Sequence, residues 1–127
     1  DRRAAGRGAK VAKPGREVVA VGGEGACQMS LCELATATAC GVPLKLIVRD
    51  NKRLGMVREV QNKAYGGRHS GTHLDGNPDF VRLCEAYGIK ANRAESNAEA
   101  LRFAEEMLHF DGSYALICAV DPETPTI

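Results

Sequence analysis

Short apolar segments alternate with amphipathic helical patterns along this sequence, and that alternation restricts the fold more than any other feature. Four segments rich in apolar and β-branched residues are predicted to be strands, namely residues 17–21, 44–48, 89–93 and 114–120. The second and fourth are nearly continuous hydrophobic runs, which is typical of strands covered on both faces. We therefore predict an α/β fold with an open, mainly parallel sheet and helices on both faces.

Each predicted helix between these strands has a signal for its start or its end. Residues 28–40 repeat apolar side chains at helical spacing and stop before a glycine. A second helix is predicted to have Asn77 as its N-cap and Pro78 in its first position. The capping box from Ser96 to Glu99 predicts the start of a third helix. The sequence thus predicts repeated strand–helix–strand units.

The composition excludes several classes of function. At 127 residues the chain is predicted to be a single domain. Its 17 basic and 16 acidic residues leave a net charge of +1. A charge this small produces no overall positive electrostatic field that would attract nucleic acid or an anionic membrane. No apolar run approaches the ~20 residues that cross a bilayer. The basic residues before Glu17 are interpreted as a solvated arm or helix face, so we expect neither a nucleic-acid nor a membrane partner.

Cysteine and histidine residues are interpreted without metal or redox roles. The five cysteines form no Cys-x-x-Cys pair and mostly lie among apolar residues, which predicts reduced, buried thiols in a cytoplasmic protein. His69 and His73 fall in a glycine-rich segment, residues 63–76, where helical alignment of the two rings is not expected. This segment is predicted to be a loop without metal, either a simple connection or, as we favour, an active-site flap.

Two polar turns follow the first two predicted strands. Gly22-Gly23-Glu24-Gly25 leads towards the first helix, and its glycines let the backbone come close to a ligand such as a diphosphate. Asp50-Asn51 follows the second strand, and 24 residues separate it from Gly25. Because the carboxyl ends of parallel strands meet at one edge of a sheet, we expect the two turns to lie together. A carboxylate and an amide oxygen are suited to Mg²⁺, which also takes phosphate oxygens.

The two turns resemble the thiamin-diphosphate motif, which is usually Gly-Asp-Gly followed at this distance by Asn-Asn. Further motifs match, in order, the C-terminal cofactor-binding domain of the acetolactate synthase catalytic subunit: Leu54-Gly55-Met56-Val57-Arg58, Tyr65-Gly66-Gly67-Arg68, Asn77-Pro78-Asp79-Phe80-Val81, Glu85-Ala86-Tyr87-Gly88 and Asp121-Pro122-Glu123. The sequence is similar to that family from about residue 8 to residue 123.

The resemblance implies a cofactor site in this chain. The matching residues are Gly23, Glu24, Gly25, Ala26, Asn51, Arg53 and Met56. By the resemblance, side-chain oxygens of Glu24 and Asn51 and the backbone carbonyl of Arg53 would bind Mg²⁺. The three small residues would line the diphosphate, and Met56, with Val57 beside it, would border the cofactor ring.

The resemblance also implies an activity and partners. The family uses thiamin diphosphate to decarboxylate pyruvate and to condense the two-carbon unit with a second 2-keto acid, in branched-chain amino-acid biosynthesis. It implies a homodimer or tetramer, a possible regulatory subunit, and FAD only in the full-length enzyme. Alternatives are a domain of another thiamin-diphosphate enzyme, such as pyruvate oxidase or a keto-acid decarboxylase, and a non-catalytic remnant of the fold.

The sequence departs from the family's pattern at the motif itself. Glu24 replaces an aspartate, Asp50 replaces the first asparagine, Ala26 replaces a serine, and Val60 stands where many relatives have tryptophan. Because Mg²⁺ tolerates little deviation from octahedral geometry, the longer Glu24 side chain is expected to weaken binding. Relatives have two further domains, so residues 1–127 are expected to be one domain of a three-domain subunit and inactive in isolation.

Overall fold

The computed structural model describes residues 2–13 and 15–125, without the side chains of residues 2–5 and 7. The elements follow one another as α1 (Arg2–Ala12), β1 (Val19–Gly23), α2 (Glu24–Met29), α3 (Cys32–Ala39), β2 (Lys45–Asp50), α4 (Gly55–Tyr65), α5 (Phe80–Ala86), β3 (Lys90–Ala94), α6 (Asn97–His109) and β4 (Tyr114–Ala119). The side chains of Arg2, Arg3 and Arg7, which the sequence assigns to a basic face, lie outside the described part.

Over the described residues, four strands form one parallel sheet in the order β1-β2-β4-β3. In the register of this sheet, Gly23 at the end of β1 is opposite Arg49, and Asp50 at the end of β2 is opposite Ala119. The turns after β1, β2 and β4 therefore leave the sheet at the same edge. The predicted parallel α/β fold is confirmed.

Apolar residues cover both faces of the sheet. On one face, Leu46 and Ile117 pack with Leu34 of α3 and with Phe80 of α5. On the other face, Tyr114, Leu116 and Ala94 pack with Met107 of α6. Because successive strand residues point to opposite faces, β4 supplies buried side chains to both layers, as its continuous hydrophobic run predicts.

Two helix predictions need correction. The helix predicted over residues 28–40 is two helices, α2 and α3, and α2 already begins at Glu24. Ser30 ends α2, since its N–H bonds to the Cys27 carbonyl and its hydroxyl donates to the Ala26 carbonyl. The cap of α5 is Asp79 rather than Asn77, because an Asp79 carboxylate oxygen accepts the N–H groups of the first turn.

The remaining local predictions mostly agree with the structure. The Ser96 cap is confirmed, since its hydroxyl accepts the Glu99 N–H. The strands begin one or two residues later than predicted, except β4. The expectation of buried thiols is confirmed for Cys27 and Cys84 and is wrong for Cys32 and Cys40, which are exposed. No helix in the described ranges is long and apolar enough to cross a membrane.

Candidate functional site

A cavity of about 700 Å³ opens at the carboxyl ends of β1 and β2. Its walls come from the β1–α2 turn, the segment that joins β2 to α4, and residues 120–125 after β4. All seven residues of the predicted cofactor site line it: Gly23, Glu24, Gly25, Ala26, Asn51, Arg53 and Met56. The sheet thus brings together two turns that lie far apart in the sequence.

Glu24 and Asn51 converge on one backbone amide. The N–H of Arg53 donates to Oε1 of Glu24 at 2.9 Å and to Oδ1 of Asn51 at 3.1 Å. Glu24 is 1% exposed and Asn51 is 8% exposed, so this contact lies below the surface. A carboxylate oxygen and an amide oxygen thus lie within hydrogen-bonding distance of the same backbone amide, and both are ligand types that Mg²⁺ accepts.

The electrostatics of Glu24 follow from this burial. Burial raises the pKa of the Glu24 carboxyl group, while backbone N–H groups of Glu24, Arg53 and Asn51 partly offset that effect. The nearby charge of Asp50 raises the pKa further. A positive charge at the carboxylate would favour its ionised form, since an opposite charge stabilises a buried anion.

The donor set at this edge fits Mg²⁺ better than a softer metal. Glu24 and Asn51 offer oxygen only, the ligand type that Mg²⁺ prefers. No group of three or more His, Cys, Asp or Glu side chains within residues 2–13 and 15–125 is arranged to hold a metal. A magnesium ion here would therefore complete its shell with backbone carbonyls, phosphate oxygens or water.

The loop after α4 is attached to the same site. Arg53 and His73 form an antiparallel bridge, in which the Leu54 N–H bonds to the Thr72 carbonyl at 2.8 Å and the Leu74 N–H bonds to the Lys52 carbonyl at 2.9 Å. Because Leu54 and Leu74 donate these bonds, the N–H of Arg53 takes no part in the bridge and points towards Glu24. This end of the predicted flap is held against the site; its motion stays a prediction.

Ion pairs around the buried side chain of Asp50 support the Asn51 turn. The Oδ2 atom of Asp50, a side chain with no exposed area, accepts from Arg93 Nη1 at 2.7 Å and pairs with Lys52 Nζ at 2.9 Å. Burial opposes ionisation of Asp50, but the hydrogen bonds from Arg93 and Lys52 outweigh it and lower the pKa of the carboxyl group. Lys52 has φ 59°, a left-handed conformation that costs a non-glycine residue energy.

Comparison with known proteins identifies the family. Residues 3–118 match the family described as "Thiamine pyrophosphate enzyme, C-terminal TPP binding domain". The chain belongs to this family. Among solved structures, the thiamine diphosphate-dependent 4-hydroxybenzoylformate decarboxylase of Rhodococcus jostii RHA1 superposes with a TM-score of 0.85 at 23% identity, over 92% of this chain and 22% of that chain. That likeness establishes the fold.

The relatives of this C-terminal thiamine pyrophosphate (TPP) binding domain include acetolactate synthase subunits. The probable large subunit of Methanococcus aeolicus is 41% identical over 92% of this chain and 20% of its own length. The isozyme 2 large subunit of Escherichia coli K12 is 39% identical over 90% of this chain and 21% of its own length. The mitochondrial catalytic subunit of Saccharomyces cerevisiae is 36% identical over 94% of this chain and 17% of its own length. The chain spans about a fifth of these curated relatives.

The glycines between β1 and α2 differ in the space that surrounds their backbone. A Cβ on Gly25 would lie 2.7 Å from Cδ2 of Leu54, so Gly25 allows the two turns of the site to pack together. A Cβ on Gly22 would meet nothing within 4 Å, and one on Gly23 would approach only the Arg49 carbonyl, at 3.9 Å. The backbone at Gly22 and Gly23 therefore faces open space, which agrees with a ligand approaching there.

The other side of the cavity is apolar. Met56 and Val57 belong to α4, and they are 60% and 46% exposed. Met29 at the end of α2 is 81% exposed and also lines the cavity. The cavity therefore has a polar side and an apolar side, as expected for a site that binds a ligand with a phosphate end and a ring end.

Sequence reasoning missed the residues that support this candidate site from a distance. Arg93 lies 43 residues from its partner Asp50, and Glu123 lies 65 residues from its partner Arg58. Asp50, which replaces the first asparagine of the family's motif, does not stand beside the site as an isolated negative charge, because Arg93 and Lys52 pair with its carboxylate. No local pattern signals either pairing, since each depends on which strands and turns become neighbours.

Proposed function

We propose that this chain binds thiamin diphosphate together with Mg²⁺ in the cavity at the carboxyl ends of β1 and β2. The supporting observation is the convergence of the Glu24 and Asn51 oxygens on the Arg53 N–H, at 2.9 and 3.1 Å, in the wall of a cavity of about 700 Å³. Membership of the TPP-binding family supports the same ligand.

Each residue of the site has a role in this proposal. Glu24 and Asn51 supply side-chain oxygens to Mg²⁺, and Arg53 supplies its backbone carbonyl. The open backbone at Gly23, with Gly25 and Ala26 beyond it, lines the diphosphate. The exposed side chain of Met56 contacts the rings and excludes water from them. The cofactor, when bound, supplies the electron sink that allows a 2-keto acid to lose carbon dioxide.

We propose acetolactate synthase as the activity of a protein that contains this domain. The relatives of this chain are named acetolactate synthase subunits, and each is about five times as long as the segment that aligns with this chain. The proposed reaction joins the two-carbon unit of pyruvate to a second 2-keto acid, in branched-chain amino-acid biosynthesis in the cytoplasm. We further propose a homodimer or tetramer, a regulatory subunit as partner, and FAD outside this domain. The 127-residue chain alone is predicted to be inactive.

Titration calorimetry with thiamin diphosphate tests the binding proposal. Heat is expected with Mg²⁺ present and not with EDTA, because Glu24 and Asn51 would hold the ion and its positive charge would favour binding of the diphosphate. Glu24→Ala is expected to abolish this heat, whereas Glu106→Gln, at the opposite edge of the sheet, leaves it unchanged. A folded wild-type chain that gives no metal-dependent heat contradicts the proposal and favours a non-catalytic remnant.

Product analysis of a protein that contains the domain tests the proposed reaction. Incubation with pyruvate, thiamin diphosphate and Mg²⁺ is expected to yield acetolactate. Acetaldehyde as the main product would identify a decarboxylase instead, and oxygen consumption would identify an oxidase. Either outcome would reject the synthase while leaving the cofactor site intact.

A further inference from the structure

Residues 120–125, which follow β4, form part of the cavity wall. The Val120 N–H bonds to the Asp50 carbonyl at 3.0 Å, which continues the β2–β4 pairing by one residue. Asp121 then closes a turn, because its side chain accepts the Glu123 N–H at 2.8 Å and its carbonyl accepts the Thr124 N–H at 3.0 Å. Val120, Thr124 and Pro125 line the cavity. This segment is therefore folded against the site and not merely adjacent to it.

The Glu123 carboxylate joins this segment to two arginines. Both of its oxygens accept from Nη2 of Arg58, at 3.1 and 3.2 Å, and Oε1 also pairs with Nη2 of Arg53 at 3.2 Å. The arginine side chains are only 16% and 18% exposed, whereas Glu123 is 65% exposed. One carboxylate thus lies between two largely buried positive charges, which would otherwise repel each other.

Arg53 connects that carboxylate to the proposed metal ligands. Its side chain pairs with Glu123, and its backbone N–H is the donor shared by Glu24 and Asn51. Arg53 is therefore held at two points, by Glu123 at its side chain and by Glu24 and Asn51 at its backbone N–H, so the pair with Glu123 restrains the residue that carries this amide. Arg58 adds a second attachment on α4, and it also contacts Nδ1 of His69 in the following loop at 3.1 Å.

We propose that Glu123 is a positioning residue for the cofactor site. It holds residues 120–125 against the cavity and, through Arg53 and Arg58, keeps the Arg53 amide aligned with Glu24 and Asn51. It does not itself touch the cofactor. The inference rests on the proposed function for its ligand, thiamin diphosphate with Mg²⁺, but the alignment of the Arg53 amide is a property of the chain without ligand.

Amide hydrogen exchange on the ligand-free chain tests the alignment directly. In Glu123→Gln, which keeps the shape and removes the charge, exchange of the Arg53 amide is expected to become about 5- to 10-fold faster, because a charge-assisted contact that restrains it is lost. Amides of β4 are expected to exchange as in the wild type. Glu106→Gln, which removes a carboxylate paired with Lys90 at the other edge of the sheet, is expected to leave Arg53 unchanged.

Affinity for thiamin diphosphate at saturating Mg²⁺ gives the second measurement. Glu123→Gln is expected to bind about 5- to 10-fold more weakly, with Glu123→Asp between it and the wild type, because the aspartate keeps the charge at a longer distance. Unchanged exchange at Arg53, or faster exchange spread equally over β4, would overturn the inference. A wild-type chain that binds no cofactor would instead refute the proposed function, while the exchange experiment would still decide the role of Glu123.

Discussion

Arg93 on β3 donates from Nη1 to Oδ2 of Asp50 on β2 at 2.7 Å, so this ion pair spans the intervening strand β4. The Asp50 side chain has no exposed area, and its second oxygen, Oδ1, has no hydrogen-bond partner in the described part of the chain. A buried carboxylate in this position needs positive partners, and it receives them from Arg93 on the edge strand β3 and from Lys52, two residues along the chain. The pair connects the edge strand β3 to the turn that carries Asn51 at the candidate site.

Replacement of Arg93 is expected to destabilise the fold. Arg93→Ala leaves Asp50 buried with Lys52 as its remaining partner, and we expect the free energy of unfolding to fall by about 1–3 kcal/mol. Urea denaturation measures this change. Arg82→Ala is the control, because Arg82 is 86% exposed and its pair with Asp79, at 3.7 Å, should contribute less than about 0.5 kcal/mol. Equal midpoints for the two variants would contradict the assigned role of Arg93.

The left-handed backbone at Lys52 leads to a second prediction. Lys52→Gly and Lys52→Ala both lose the pair with Asp50, but only glycine adopts φ 59° without strain. The glycine variant is therefore expected to be more stable than the alanine variant by about 1 kcal/mol. At Lys63, inside α4, the alanine variant should instead be the more stable one by a similar amount, because glycine is unfavourable in a helix. The same order at both positions would argue against strain at Lys52.

Packing at Gly25 leads to a third prediction. Gly25→Ala places a methyl group 2.7 Å from Cδ2 of Leu54, so the side chain must move, and we expect a loss of about 1 kcal/mol. Gly22→Ala, in open space, is expected to change stability by less than about 0.5 kcal/mol. The cost at Gly25 should shrink when Leu54 is also replaced by alanine. A double-mutant cycle by thermal denaturation measures this coupling, and additive effects would refute the contact.

The thiols should differ in reactivity in an order set by exposure and pKa. Cys32 and Cys40 are exposed and should be alkylated first, whereas Cys27 and Cys84 are buried and should react only on unfolding. Burial raises the pKa of Cys118, so its thiolate fraction at neutral pH is lower than that of an ordinary cysteine, and its rate should keep rising above pH ~9. Mass spectrometry after timed alkylation maps the sites. Labelling of Cys118 at pH 7 as fast as Cys32 would contradict this order.

The sequence by itself was sufficient to predict the parallel sheet and the residues at its edge. The hydrophobic runs of β2 and β4 indicate strands covered on both faces, and the turns at Glu24 and Asn51 follow strands that a parallel order brings together. These signals are local, because the period of apolar residues and the position of a turn depend on a few adjacent residues.

Only the tertiary structure determined which contacts support the turns at the carboxyl ends of the strands. The sequence pattern predicted Asn77 as the cap of α5, and only the path of the chain into the helix selects Asp79. The pairing of Arg93 with Asp50 requires β3 to lie beside β4, and that of Glu123 with Arg58 requires the chain after β4 to turn towards α4. Long-range charge pairs depend on which elements become neighbours, and the periodicity that identifies the elements carries no information about that choice.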